Sequence, residues 1–287
     1  FPLLCYHKSN SIDTPLVGKE SFLFADDCFL TNAISRNDTD AAKAGACAVV
    51  AHVKDDKLRV ANAGDCRLVL AEKNEEGVLE AIEMSHVDQI GESEIERERL
   101  LSNHPREKGL LKRNRIHGRM EPTRGFGDGE YKRSVFNDDP DNWKPPYSTA
   151  EPHISERQLS ERSEFAILAS DGIFDELSAE QAVQCVSTFL ERRESGEESL
   201  RNASAALVET AFSRAAERNN GRLENGENID KMLKISGKER RYLHDDMTAL
   251  IIFFEKEYNV KSKFSGNGQN NTEAPKIVQS LVGLLEK

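Results

Sequence analysis

Three short apolar runs in this chain each meet an acidic turn, and that pairing restricts its fold more than any other feature. Val60 to Ala63 leads into Gly64-Asp65, and Glu164 to Ala169 runs into Ser170-Asp171-Gly172. Asp245-Asp246 directly precedes Met247 to Ile252. Apolar runs of this length bounded by turn residues read as β-strands. Carboxylates held at the edge of a packed sheet can converge on a hard cation, because Mg²⁺ and Mn²⁺ favour oxygen ligands. A single Asp beside a strand is more often a turn residue capping backbone amides. The weight therefore rests on the three together.

The remaining segments suggest mixed α and β structure. Phe22, Phe24, Phe29, Leu30 and Ile34 are spaced to line one face of a helix. Cys47 to Val53, Lys57 to Ala61 and Arg67 to Ala71 read as a three-stranded antiparallel meander, with Lys54-Asp55-Asp56 and Gly64-Asp65 as its turns. Helices are predicted over Glu92–Asn103, Ser178–Arg193 and Leu200–Arg218, the second opening on a Ser178/Gln181 capping signal. The charge run Glu92 to Arg99 is expected to be a solvated helix face. Asn137 to Pro146 reads as a surface loop, and Arg214 to Arg241 as a polar insert with a loose loop near Asn219 to Asn228. A domain over residues 1–258 is expected, then a polar flexible tail over 259–287 with a short helix at Ile277 to Leu285.

Of the 287 residues, 38% are hydrophobic, enough for a sizeable core. The formal charge of −11 argues against a general nucleic-acid binder, which needs a basic face. No apolar run is long enough to span a membrane. The five cysteines, Cys5, Cys28, Cys47, Cys66 and Cys185, form no Cys-x-x-Cys pair, and a reducing compartment is the simplest expectation. Cys47 and Cys66 fall in apolar runs and are expected in the core.

Four segments, in order, carry a family resemblance. Gly64-Asp65-Cys66-Arg67 resembles a Gly-Asp-Ser-Arg motif, and Thr123-Arg124-Gly125-Phe126-Gly127-Asp128 resembles Arg-Ala-Phe/Leu-Gly-Asp. Ser170-Asp171-Gly172-Ile173-Phe174-Asp175 resembles Ser/Thr-Asp-Gly-Leu/Ile-Trp-Asp/Glu, and Asp245-Asp246-Met247-Thr248 resembles Asp-Asn/Asp-Ile/Met-Thr. These are motifs of the PPM-type (2C-type) metal-dependent protein serine/threonine phosphatases, and the match spans roughly Gly45 to Phe254. Pro145 to Pro152, Cys47 to Val53 and Lys231-Met232-Leu233 are similar to the pyruvate dehydrogenase phosphatase branch.

The resemblance implies an α+β fold, an α-β-β-α sandwich of two antiparallel sheets flanked by helices, here N-terminally incomplete. It implies hydrolysis of phosphoserine or phosphothreonine by water activated between Mg²⁺ or Mn²⁺ ions. By motif, Asp171 and Asp245 would be ligands of the binuclear centre, and Asp65 and Asp175 would serve a third, weaker metal. Asp246 is not counted as a ligand, and Asp128 and Arg124 are expected to support structure. A phosphorylated protein, with the pyruvate dehydrogenase complex as one candidate, is the implied partner. The mitochondrial matrix is the implied location, with the cytoplasm as the alternative.

The family's opening motifs, a Glu/Asp with a nearby phosphate-binding Arg and then Asp-Gly-His-Gly/Ala, are absent from this sequence. Ser85-His86-Val87-Asp88 also stands where the family has an Asp-His pair. No catalytic general acid is therefore assigned. The chain is expected to be a weak or inactive phosphatase as it stands, the alternative being a non-catalytic pseudophosphatase that binds phosphoprotein. His52 is expected to be a satisfied strand residue. His117 and Arg119 are candidates for the substrate side, and His244 is a candidate partner of Asp245 or a surface residue.

Overall fold

The computed structural model describes residues 3–8, 18–136, 143–194, 202–219, 235, 240–254 and 278–283. In chain order the strands and helices are β1 (Leu3–Lys8), α1 (Lys19–Ser35), α2 (Thr39–Lys43), β2 (Gly45–Ala46), β3 (Ala48–Lys54) and β4 (Lys57–Ala63). They continue with β5 (Arg67–Lys73), β6 (Leu79–Glu83), α3 (Glu94–Asn103), β7 (Leu111–Lys112), β8 (Arg115–Ile116), β9 (Phe126–Gly127) and β10 (His153–Gln158). The last are β11 (Ser163–Ala169), α4 (Asp171–Phe174), α5 (Ala179–Glu194), α6 (Ala203–Arg218), β12 (Thr248–Phe253) and β13 (Val278–Gly283).

Two main sheets form, one in the order β1-β3-β4-β10 and the other β13-β12-β11-β5-β6. The pairings are antiparallel except β1 with β3, which is parallel. Strands β5, β11 and β12 are apolar on both faces because they are covered on both sides, whereas the edge strand β10 alternates. Val49, Ala51, Val53, Leu58 and Val60 of the first sheet pack against Leu68, Leu70, Ala166, Leu168, Leu250 and Ile252 of the second. Alternate residues Val69, Ala71, Phe165, Ile167, Ala249 and Ile251 turn outward to α5 and α6. On the opposite side Phe22 of α1 packs with Ala48, Ala61 and Ala63. The order of layers is therefore helix, sheet, sheet, helix, as expected.

The local expectations hold at several turns. Asp55 and Asp56 both take positive φ, as a two-residue hairpin between β3 and β4 requires. Ser178 and Gln181 exchange hydrogen bonds at the start of α5, with Gln181 N donating to Ser178 Oγ (3.2 Å) and Ser178 N to Gln181 Oε1 (3.0 Å).

Four expectations are corrected. Residues 47–71 are not a meander: β3 and β4 pair, but β5 joins the other sheet beside β11 and β6. Gly64-Asp65 is thus the crossover between sheets and not a hairpin turn. The buried face of α1 is Phe22, Asp26, Leu30 and Ala33, while Phe24, Phe29 and Ile34 are exposed. Asp26 occupies that face because it accepts from Gly127 N (2.7 Å) and Lys132 Nζ (2.7 Å). At Val278–Gly283 the expected helix is a strand, paired antiparallel with β12. The fourth concerns α3, whose Glu96 is fully buried and not part of a solvated face. The expected tail over 259–277, Lys231-Met232-Leu233, most of the polar insert and residues 137–142 lie outside the described residues.

Candidate metal centre

The sheet crossover places Asp65 directly after a constrained glycine. Gly64 has φ +111, and a Cβ there would lie 2.3 Å from Cys47 Sγ, so this turn admits only glycine. Its amide donates to Asp88 Oδ2 (2.9 Å), and Asp88 N donates back to Gly64 O (3.1 Å). Asp65 is buried and accepts from Gln89 Nε2 at 3.0 Å. Cys47 and Cys66 beside it are free, and burial followed by the Asp65 charge pushes both thiols well up, so they behave as packing residues.

Asp171 is placed by two neighbours. Ser170 Oγ donates to Asp246 O (2.9 Å) and accepts from Thr248 N (3.0 Å), tying the end of β11 to the start of β12. Gly172 allows the two segments to touch, since a Cβ there would lie 2.5 Å from Asp246 O. Asp171 then opens α4, where Gly172 N donates to its Oδ1 at 2.8 Å. Asp175 follows α4, its amide bonded to Asp171 O (2.7 Å).

The four carboxylates share one environment. Burial, then the charges of Asp65, Asp245 and Asp175, push Asp171 up to about 7. Asp175 likewise lies in the field of Asp245 and Asp65. Asp65 is buried, whereas Asp175 and Asp245 are exposed, so the cluster opens to solvent on one side. An all-oxygen set of mutually repelling, partly desolvated carboxylates fits a hard divalent cation, whose charge would remove the repulsion. Asp246 instead pairs with Arg240 Nη2 at 2.6 Å. Asp128 packs against Gly45, where burial pushes it up to about 6, in keeping with a supporting turn role.

A second polar group lies behind the crossover. Glu96 accepts from Arg124 Nε and Nη2 (3.0 and 2.8 Å), Arg99 Nε and Nη2 (3.0 and 2.8 Å) and Thr123 Oγ1 (2.6 Å). Although burial alone would raise it, the nearby His153 imidazole and hydrogen bonds from Arg124, Arg99 and Thr123 hold its carboxyl far below the usual range. The Glu96/Leu100 spacing on α3 was the available sequence signal, masked by the surrounding charges.

Other singled-out residues fall elsewhere. His117 stacks on Trp143 (centroids 4.3 Å apart) and pairs with Glu107 at 3.0 Å, while Arg119 lies over the same indole. His244 is buried against Phe212, with Nδ1 2.8 Å from Asp245 O. His52 lies opposite Arg59 in the β3–β4 register.

The family model for Protein phosphatase 2C matches residues 15–220. "Probable protein phosphatase 2C 40" of Arabidopsis thaliana is 32% identical over 220 residues, covering 74% of this chain and 42% of its own length. A mitochondrial human protein, "[Pyruvate dehydrogenase [acetyl-transferring]]-phosphatase 2", is 30% identical over 278 residues, covering 79% of this chain and 51% of that protein. "Protein phosphatase 2C homolog C10F6.17c" of Schizosaccharomyces pombe is 33% identical over 244 residues, covering 75% and 54%. The chain thus spans about half the length of the curated relatives it matches. The crossover, Asp65, Asp171 and Asp175 stand within the span that the family model matches, with Asp245 beyond it, and this chain belongs to the protein phosphatase 2C family.

Proposed function

We propose that this chain is the metal-binding part of a protein serine/threonine phosphatase that acts on phosphoprotein with Mg²⁺ or Mn²⁺. The observation that carries the proposal is that the half-buried Asp171 is pushed up to about 7 by burial and by the charges of Asp65, Asp245 and Asp175, while Ser170 Oγ ties the end of β11 to the segment that carries Asp245. Asp171 and Asp245 would hold the central cation, and Asp65 and Asp175 a further one. A divalent cation held there would acidify bound water and offset charge on phosphoryl oxygens. The chain's own part is to hold the carboxylates in register through Ser170, Gly172 and Gly64 before any ligand arrives.

Residues 1–258 are proposed as one partial phosphatase domain. The pyruvate dehydrogenase complex as substrate, and a mitochondrial location, are proposed on likeness to the human mitochondrial relative. Phosphate release from a phosphothreonine peptide tests the activity. With Mn²⁺, turnover is expected to fall in Asp171→Asn by more than about 100-fold, beyond the usual effect of removing an outer partner of a metal ligand. The same variant, relieved of repulsion, should melt higher than the parent in EDTA. Equal turnover in both would sink the assignment.

A second function, phosphoprotein binding without turnover, is favoured by one observation: Ser85-His86-Val87-Asp88 stands where the family has an Asp-His pair. Saturable binding of the phosphopeptide by a chain that releases no phosphate in Mn²⁺ would decide for it.

A further inference from the structure

Asp88 is fully buried, yet two imidazoles approach the same oxygen of its carboxylate. His86 Nδ1 lies 3.3 Å and His153 Nε2 2.9 Å from Asp88 Oδ1. The two rings lie against each other, centroids 4.4 Å apart and tilted by 34°. His153 Nε2 is buried, and despite its ion-pair distance it sits off the axis of a hydrogen bond to that oxygen. The other oxygen, Oδ2, is held by Gly64 N at 2.9 Å, so the carboxylate cannot rotate away. Two nitrogen donors and one oxygen donor thus converge within 4.8 Å of one another.

We propose that His86, Asp88 and His153 form a transition-metal site of the Zn²⁺ class, separate from the carboxylate centre at Asp171. The donor set decides the class: imidazole nitrogen suits Zn²⁺, Co²⁺, Ni²⁺ and Cu²⁺, whereas Mg²⁺ takes oxygen. Three protein ligands leave a coordination position for water or an exogenous ligand. An outer shell is already in place. Arg124 Nε lies 3.7 Å from Asp88 Oδ1, and its charge is offset by Glu96, whose Oε1 is 3.7 Å from His153 Nε2. Access is available from the His86 side, where the side chain is 35% exposed. Ligation requires the coordinating nitrogens to be free of protons; Asp88 and then Glu96 push His153 up to about 9, so an incoming metal must displace that proton, and binding should strengthen as pH rises towards that value.

The test uses Co²⁺ as a spectroscopic probe of the whole chain, with excess Mg²⁺ present to occupy the carboxylates. A visible Co²⁺ band of histidine-ligated type, displaced by Zn²⁺, is expected. His86→Gln and His153→Gln should each weaken Zn²⁺ binding by at least about tenfold, the lower end for losing even an outer partner of a metal site. Asp171→Asn should keep the band. Should His153→Gln unfold the chain, the half-exposed His86→Gln alone decides. Zn²⁺ affinity equal in the parent and His86→Gln would overturn the proposal, as would loss of the band in Asp171→Asn with retention in both histidine variants.

Discussion

Glu96 is the residue whose role departs furthest from its local sequence. In a run of alternating charges it would ordinarily be hydrated, but the fold gives it two guanidinium groups and a hydroxyl. Five donated bonds offset the desolvation that a buried carboxylate incurs. Removing it leaves Arg99 and Arg124 near a site built for an anion. Glu96→Ala is accordingly expected to cost about 3–5 kcal/mol, as for other broken buried pairs, measured by urea denaturation. A cost below about 1 kcal/mol, the scale of an exposed pair, would mean the group is solvated after all. The apolar residues of α1 teach the converse. Phe24 and Phe29 are exposed because Asp26 carries the specific bonds of that helix, and its face turns to meet them.

Among the elements, the junction between β11 and α4 decides whether the site exists. The strand is held in the sheet by β5 and β12, and the residue after it, Ser170, is the only side chain among the described residues that bonds both Asp246 O and Thr248 N. Ser170→Ala leaves a partly buried carbonyl and a partly buried amide with one partner fewer. A loss of about 1–3 kcal/mol is expected from the desolvation of such groups, read from the midpoint of chemical denaturation. Mn²⁺ binding should weaken with it, because Asp171 and Asp245 flank the broken contact; unchanged binding would show that the two segments hold their spacing without Ser170. The crossover at Gly64 has a similar logic. The chain leaves one sheet and enters the other within a single glycine turn, which brings Asp65 to the edge where β11 and β12 deliver theirs.

For the whole molecule, one polar clip joins the two sheets. Arg157 of β10 donates to Glu72 of β5 through Nε (3.2 Å) and Nη2 (2.8 Å), and Ser163 Oγ of β11 adds a third bond at 3.0 Å. Arg157 first, then Ser163, hold the Glu72 carboxyl below its usual range against the effect of burial. A depressed folded value means stability that is present above the unfolded carboxyl value of about 4.3 and lost as pH falls through the folded one. Arg157→Met should flatten that acid limb in melting curves taken across acid pH while leaving the neutral-pH limb parallel to the parent. An unchanged acid limb would place the loss elsewhere.

The sequence by itself determined β3, β4, β5, β11 and β12, the capped helix α5, the Asp55-Asp56 hairpin and the four acidic motifs, because each depends on residues adjacent in the chain. Asp65, Asp171 and Asp245 were legible as candidates for the same reason, since a carboxylate beside a strand is a local pattern, whereas Asp175 entered only through the family motif. Which sheet each strand joined was decided only in three dimensions. Alternation reports that a strand has two faces, and it is silent on whether β5 pairs with β4 or with β11. The burial of Glu96 and the meeting of His86, Asp88 and His153 were decided there too. Their partners come from distant segments, and no spacing along the chain records that β10 begins beside the loop after β6.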